Sequence, residues 1–160
     1  MSTPTSYPPF SPYITVKGAN AAIEFYKSAF GATELFRLTD PSTGSIGHAE
    51  LLLSGSLLML AEENLEWGNK SPQSLGGTPV RLCLIVENAD VVVERARAAG
   101  ATVERPPADM FYGFRSASVR DPFGHQWMVQ HEIEKVSPEE MQKRWAAMLA
   151  SGADCSDSKN

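Results

Sequence analysis

Two cysteines, Cys83 in an apolar run and Cys155 in a polar stretch, are all that 160 residues offer, too few for a disulfide framework. A reducing, cytoplasmic setting is the expectation. Basic residues are also scarce, 14 Lys and Arg against 19 Asp and Glu, for a net charge of -5. With no basic surplus to displace phosphate counterions, nucleic acid is not an expected partner. No apolar run approaches the roughly 18–20 residues a membrane helix needs, so no membrane span is expected. Met1 to Pro12 is polar and Pro-rich, without the basic start or apolar stretch of a secretion signal. Catalytic signatures are missing too. There is no phosphate-cradling Gly-rich loop with Lys, no His-Glu-x-x-His and no cysteine pair at zinc spacing, and Ser116 and Ser118 lack the glycines of a nucleophile elbow.

What is present is an ordinary apolar share, 42%, enough for a globular core, arranged in a repeat. Tyr13-Ile14-Thr15-Val16 is a β-branched run and reads as a strand. From Ala21 to Phe30 apolar residues recur at spacings of three, four and seven (Ala22, Phe25, Ala29; Ile23, Tyr26, Phe30), which predicts a helix that Gly31 stops. Thr33 to Leu38, Ile46 to Leu53 and Leu57 to Ala61 read as three strands, the last two joined by a hairpin at Ser54-Gly55-Ser56. The order then recurs. Arg81 to Val86 is a strand, Asp90 to Ala99 a helix capped by Asn88 or Asp90, Thr102 to Arg105 a strand, and Phe114 to Arg120 and Gln126 to His131 flank a turn at Asp121-Pro122-Phe123-Gly124. Gly31-Ala32-Thr33 and Gly100-Ala101-Thr102 lie 69 residues apart, as do Gly55 and Gly124. A fixed offset in that range signals duplication of a supersecondary unit.

The predicted fold is therefore α+β, two tandem βαβββ modules forming a curved mixed sheet around a cleft, plus a C-terminal helix. The divisions are a loose segment over 1–11, a first module over 12–62, a linker over 63–79, a second module over 80–132, the C-terminal helix over 133–150 and a disordered tail over 151–160. Ser137-Pro138-Glu139-Glu140 carries the cap, proline and acidic residue of a helix start, and Met141, Trp145 and Met148 form an apolar stripe suited to packing on the body, on a partner or over a ligand.

Ala22-Ile23-Glu24-Phe25-Tyr26, closing at Phe30-Gly31-Ala32, resembles the first helix of the vicinal oxygen chelate superfamily, which includes glyoxalase I, extradiol dioxygenases and bleomycin-resistance proteins. Asp121-Pro122-Phe123-Gly124-His125-Gln126-Trp127 resembles that superfamily's late hairpin. Gly47-His48-Ala49-Glu50-Leu51 and Phe111-Tyr112-Gly113-Phe114-Arg115 resemble the PhnB-like branch. The resemblance implies a cleft between paired modules and a homodimer, in which cleft halves can come from different chains. It also implies metal ligands on the first and last strand of each module. Carried over, those positions fall on Ser11 and Arg81, and on Met59 and Met128. Thioethers select soft ions and an arginine repels any cation, so no inherited metal site and no cofactor are expected.

Strand alternation with a two-residue turn places His48 and Glu50 on the face of Met59, while His125 and His131 point away from the face of Met128 and Gln130. Arg115, offset by 69 residues from Ile46, is expected on the His48 face, where its forked donors would suit a carboxylate or phosphate. Tyr112, Phe111, Trp127 and Trp67 are aromatic neighbours of the expected cleft. The ligand-binding set is thus His48, Glu50, Met59, Tyr112, Arg115, Met128 and Gln130, and His48 with Glu50 is the best candidate for acid–base work. Three functions follow. The first is a metal-free small-molecule binder with an apolar cleft, resembling the bleomycin-resistance members, whose acidic charge would favour cationic ligands. The second is a metal-dependent lyase, isomerase or dioxygenase with a divalent metal relocated to His48 and Glu50. The third is an interaction module using the C-terminal helix.

Overall fold

The computed structural model describes residues 7–152; residues 1–6 of the expected loose segment and 153–160 of the expected tail lie outside the described residues. The first module is β1 (Tyr13–Val16), α1 (Ala19–Phe30), β2 (Thr33–Thr39), β3 (Ile46–Leu53) and β4 (Ser56–Glu62). A single-turn helix α2 (Pro72–Leu75) sits in the linker. The second module is β5 (Arg81–Ile85), α3 (Ala89–Ala98), β6 (Thr102–Asp109), β7 (Phe114–Arg120) and β8 (Gln126–Glu132), followed by α4 (Pro138–Ala150). Each module forms its own four-stranded mixed sheet, in the orders β1-β4-β3-β2 and β5-β8-β7-β6. The first strand of each lies parallel to the last and is left at the sheet edge. The duplicated α+β architecture read from the sequence is thus the one observed.

Local chemistry explains where boundaries moved. Helix α1 starts two residues early because Glu62, at the end of β4, accepts the N–H groups of Gly18 and Ala19 at 2.8 and 2.6 Å. A carboxylate there satisfies free donors and complements the helix dipole. Helix α3 is capped by Asn88, whose side chain accepts from the Val91 N–H at 3.1 Å. Strand β6 runs on through Pro106-Pro107, which an edge strand tolerates because missing N–H groups cost it nothing. In the linker, Ser71 caps α2 and its own N–H donates to Glu63, whose carboxyl is held down at about 2, chiefly by hydrogen bonds from Ser74 and Ser71.

One core serves both modules. Ile23, Phe25, Tyr26 and Phe30 of α1 bury against Phe123 and Trp127 of the second module, and α3 adds Val92, Val93 and Ala96. Side chains of this size each contribute about 1.5–3 kcal/mol when removed from water. Within this core Asp121, 3% exposed, accepts Tyr26 Oη–H at 2.7 Å, Trp127 Nε1–H at 2.9 Å and the N–H groups of Phe123 and His125 at 2.9 Å. Because the modules pack through their helix-bearing faces, the opposite face of each sheet carries no helix of its own module.

Candidate functional site

The helix-free face of the first sheet is set by the hairpin. Ser54 and Gly55 both have positive φ, 48° and 79°, a two-residue turn that pairs Leu53 with Ser56 and Glu50 with Met59. His48 and Glu50 therefore share a face with Met59, and β1 adds Tyr13, which is the register partner of Met59 on its other side. These side chains form a chain of hydrogen bonds. Tyr13 Oη lies 2.9 Å from His48 Nδ1, and His48 Nε2 lies 3.1 Å from Glu50 Oε1. Tyr7, from the segment before β1, donates to the same Glu50 oxygen at 3.1 Å. An ionised Glu50 can only accept, so the Nε2 proton faces it and Nδ1 is left to accept the Tyr13 hydroxyl. The rings of Tyr13 and Phe36 pack on His48 at 5.4 and 5.7 Å. Glu50 is 2% exposed, and its Oε2 is buried without a hydrogen-bond partner. Burial and the charge of Glu50 push the Tyr13 phenol up, and the Tyr7 phenol is raised chiefly by its hydrogen bond to Glu50, so both stay protonated.

The second sheet's helix-free face carries no carboxylate–imidazole pair among the described residues; its centre is softer, with Arg105 donating to Ser118 at 3.2 Å. Met128 faces Cys83 on one side and Ser118 on the other, and Gln130 lies between Ile85 and Ser116. Gln130 Nε2 donates to Cys83 Sγ at 3.5 Å, while Gln130 Oε1 and Ser116 Oγ are buried without a partner. His125 and His131 do point to the other side. His125 Nε2 donates to the Thr15 carbonyl at 2.9 Å, and His131 Nδ1 accepts the Ala89 N–H at 2.9 Å at the start of α3.

Two sequence expectations need correction. Arg115 is not on the His48 face or its equivalent. It pairs with Asp90 of α3 at 2.6 and 2.8 Å and with Asp109 at 2.8 Å, on the helix side of the sheet. Alternation along β7 is unbroken, but the second hairpin turn is longer than Ser54-Gly55, so Met128 pairs with Ser118 whereas Met59 pairs with Glu50. The offset on β7 is therefore 68 (118 − 50), and Arg115 falls on the face opposite to Ser116 and Ser118. Ile46 itself reaches the core through a separate irregularity, since Leu38 pairs with His48 but Thr39 with Ile46. Tyr112 sits in the turn after β6, packed on Phe111 and Phe114 at 5.2 and 6.1 Å rather than beside Gln130. Trp67 is 80% exposed in the linker, and Trp127 is core.

A cavity of about 910 Å3 opens between the edge strands β1 and β5. Its walls are mainly apolar, from Ile14, Leu57, Leu58, Val80, Leu82 and Leu84, with α2 along one side. Its charged lining is Lys70 and Arg81, with no carboxylate, and neither cation is ion-paired among the described residues. Tyr13 belongs to both places, lining this cavity and hydrogen-bonding His48. Sequence reading missed it because Tyr13 looked only like the start of a strand; the parallel register with Met59 was the missing signal.

A relocated metal would need ligands beyond His48 and Glu50. Among the described residues no three His, Cys, Asp or Glu side chains gather within reach of one ion. His48 and Glu50 are already engaged with each other and with two phenols. This donor set does not fit a divalent ion. No helix among the described residues is long and apolar enough to cross a membrane.

A family model, that of the Glyoxalase/Bleomycin resistance protein/Dioxygenase superfamily, matches residues 10–129. The Mycobacterium bovis protein Mb0911c is 41% identical over 148 residues, 91% of this chain and 95% of its own. The solved structure of the Arabidopsis thaliana At5g48480 product is similar at 29% identity and TM-score 0.62, over 78% of this chain and 98% of that one. TioX from Micromonospora sp. ML1 is similar at 25% identity and TM-score 0.59, over 80% and 98%.

Proposed function

We propose that this chain, which belongs to the glyoxalase/bleomycin resistance protein/dioxygenase superfamily, is a metal-free small-molecule-binding protein whose ligand enters the cavity between β1 and β5. The observation that carries this reading is the cavity itself. Its volume, about 910 Å3, lies in the range of small-molecule sites, and its lining is apolar with a few polar groups. The His48-Ala49-Glu50 motif supports a place in the PhnB-like branch. His48 and Glu50 on one face, and Met128 and Gln130 on the other, supply the polar and adaptable contacts beyond the cavity. The ligand's chemistry follows from the wall rather than from the net charge. Lys70 and Arg81 favour an apolar body with an anionic end, because charges of the wider surface are screened over about 8 Å at physiological salt. The metal-dependent lyase, isomerase or dioxygenase reading finds no third His, Cys, Asp or Glu beside His48 and Glu50 among the described residues.

A thermal-shift series with octanoate, decanoate and 1-naphthoate, on protein purified without chelator and assayed for metal, tests this. Native-state binding should raise Tm in step with concentration. Arg81→Met should weaken the affinity by about tenfold, the worth of one charged hydrogen bond, ~1.4 kcal/mol. No shift with any carboxylate, or binding that requires stoichiometric metal, would reject the reading.

A second copy of the chain is the proposed cover for the helix-free faces. Tyr13, Leu38, Leu52 and Ile85 are 52, 59, 41 and 51% exposed there, an apolar surface that a monomer would leave in water. Light scattering at micromolar concentration should give twice the 17.4 kDa chain mass, and a monomer mass would remove the homodimer from the proposal.

A further inference from the structure

The chain Tyr13–His48–Glu50 has a direction that binding alone does not require. Glu50 is buried at 2% exposure and holds the His48 Nε2 proton, which leaves Nδ1 bare and aimed at the Tyr13 hydroxyl 2.9 Å away. Tyr13 is half exposed and lines the cavity. A carboxylate that orients an imidazole, which in turn accepts from a hydroxyl at a ligand space, is the arrangement by which a weakly acidic hydroxyl is activated. Pure packing would be served as well by apolar residues, without desolvating a carboxylate that keeps Oε2 unpartnered.

We propose that Tyr13, His48 and Glu50 form a metal-free proton relay that acts as a general base on a ligand in the cavity. In the forward step an acidic C–H or O–H of the ligand passes its proton to Tyr13 Oη. The Tyr13 proton moves to His48 Nδ1, the electron pair stays on the ligand as an enolate or oxyanion, and the imidazolium is held by Glu50. The reverse transfer returns a proton to the ligand, so the relay suits an isomerisation that moves a hydrogen next to a carbonyl. Tyr13 touches the ligand, while His48 and Glu50 act through it. Burial and the charge of Glu50 keep the phenol protonated at rest, so no free phenolate forms and the two proton transfers occur together. The titratable groups facing His48 are Tyr13 from β1, Tyr7 from the segment before it and Glu50 on its own strand; β2 presents Phe36 and Leu38, and β4 presents Met59.

The relay rests on the cavity reading only in that its ligand sits there, and p-nitrophenyl acetate tests it separately. Activated Tyr13 attacks the acetyl carbonyl; an Oη–C bond forms, the ester C–O bond breaks, the phenolic proton goes to His48 and p-nitrophenolate leaves. A stoichiometric burst is expected, with the acetyl group mapped to Tyr13 by peptide mass spectrometry. Tyr13→Phe should abolish the burst. His48→Gln should slow it by about a hundredfold, the lower range for a general base. Glu50→Gln, which keeps the packing volume, should slow it at least about tenfold and serves if His48→Gln does not fold. Acetylation only at lysines, or an unchanged rate in the folded variants, would overturn the relay. Carboxylate binding without a burst rejects the relay and leaves the binding reading standing; a burst without carboxylate binding does the reverse.

Discussion

Asp121→Ala is expected to destabilise the native state by about 3–5 kcal/mol, since four buried donors, worth about 1–3 kcal/mol each when unsatisfied, lose their acceptor and re-pair only in part. The side chain accepts four donors, the Tyr26 hydroxyl, the Trp127 indole and the N–H groups of Phe123 and His125. Each loses its acceptor at once, in a place too enclosed for water to replace it fully. Tyr26 comes from α1 and the other three from the second module, so the carboxylate ties the two copies of the repeat together. Burial and Asp121 push the Tyr26 phenol well above its ordinary range, so it remains a donor at any pH at which the protein is folded. Tyr26→Phe removes one bond and leaves the carboxylate with three, and should cost about 1–2 kcal/mol. Urea unfolding checks both: the midpoint falls while the slope stays fixed, since the native surface is unchanged. A domain of this size has about 5–15 kcal/mol in hand, so the alanine variant should be visibly labile. A cost below about 1 kcal/mol would show that the modules are held by the aromatic cluster alone.

The repeat itself was legible because duplication preserves what a linear pattern shows: helix periodicity, a stop glycine and a hairpin glycine at a constant offset. The His48–Glu50–Met59 face was legible for a similar reason, since a two-residue turn and strict alternation fix parity. Arg115 was misplaced because the second hairpin turn is longer than the first, so the 69-residue offset does not hold on β7. The longer turn shifts the offset there to 68 (118 − 50), and the hairpin glycines, still 69 residues apart, conceal that shift. Tyr13 and the cavity depend on the parallel pairing of β1 with β4 and on β1 and β5 lining one cavity, relations between segments about 45 and 70 residues apart that local pattern does not encode. The early start of α1 belongs to the same class, because its cap, Glu62, arrives from the far end of the module.

Gly113→Ala should cost about 2–4 kcal/mol and release α4, although the residue looks in sequence like simple loop punctuation. Its φ is +86°, which costs a non-glycine residue about 1 kcal/mol or more. The larger effect is contact. An added Cβ would collide with the Glu134 carbonyl and come within 2.8 Å of Val136 Cγ2. Neither can yield cheaply, because the Gly113 carbonyl accepts the N–H groups of Ile133 and Glu134 at 2.9 and 3.1 Å. Those bonds fix the segment that leads into α4. The helix has no buried residue of its own and is held by Arg144, which binds Glu134 twice at 2.8 Å and the Phe111 carbonyl at 3.2 Å, and by Trp145 against Phe111 at 5.5 Å. Moving Glu134 therefore removes the anchor of Arg144 as well. Trypsin should cut the variant at Lys143 or Arg144 well before the rest of the chain is attacked, and Trp145 emission should shift to the red. Gly44→Ala is the comparison, since Gly44 also has positive φ, +75°, but an added Cβ there meets nothing within 4 Å. It should lose only the conformational part, about 1 kcal/mol, with α4 still protected. Equal losses in the two variants would mean that backbone strain, and not the close packing of Gly113 on Glu134, sets the cost.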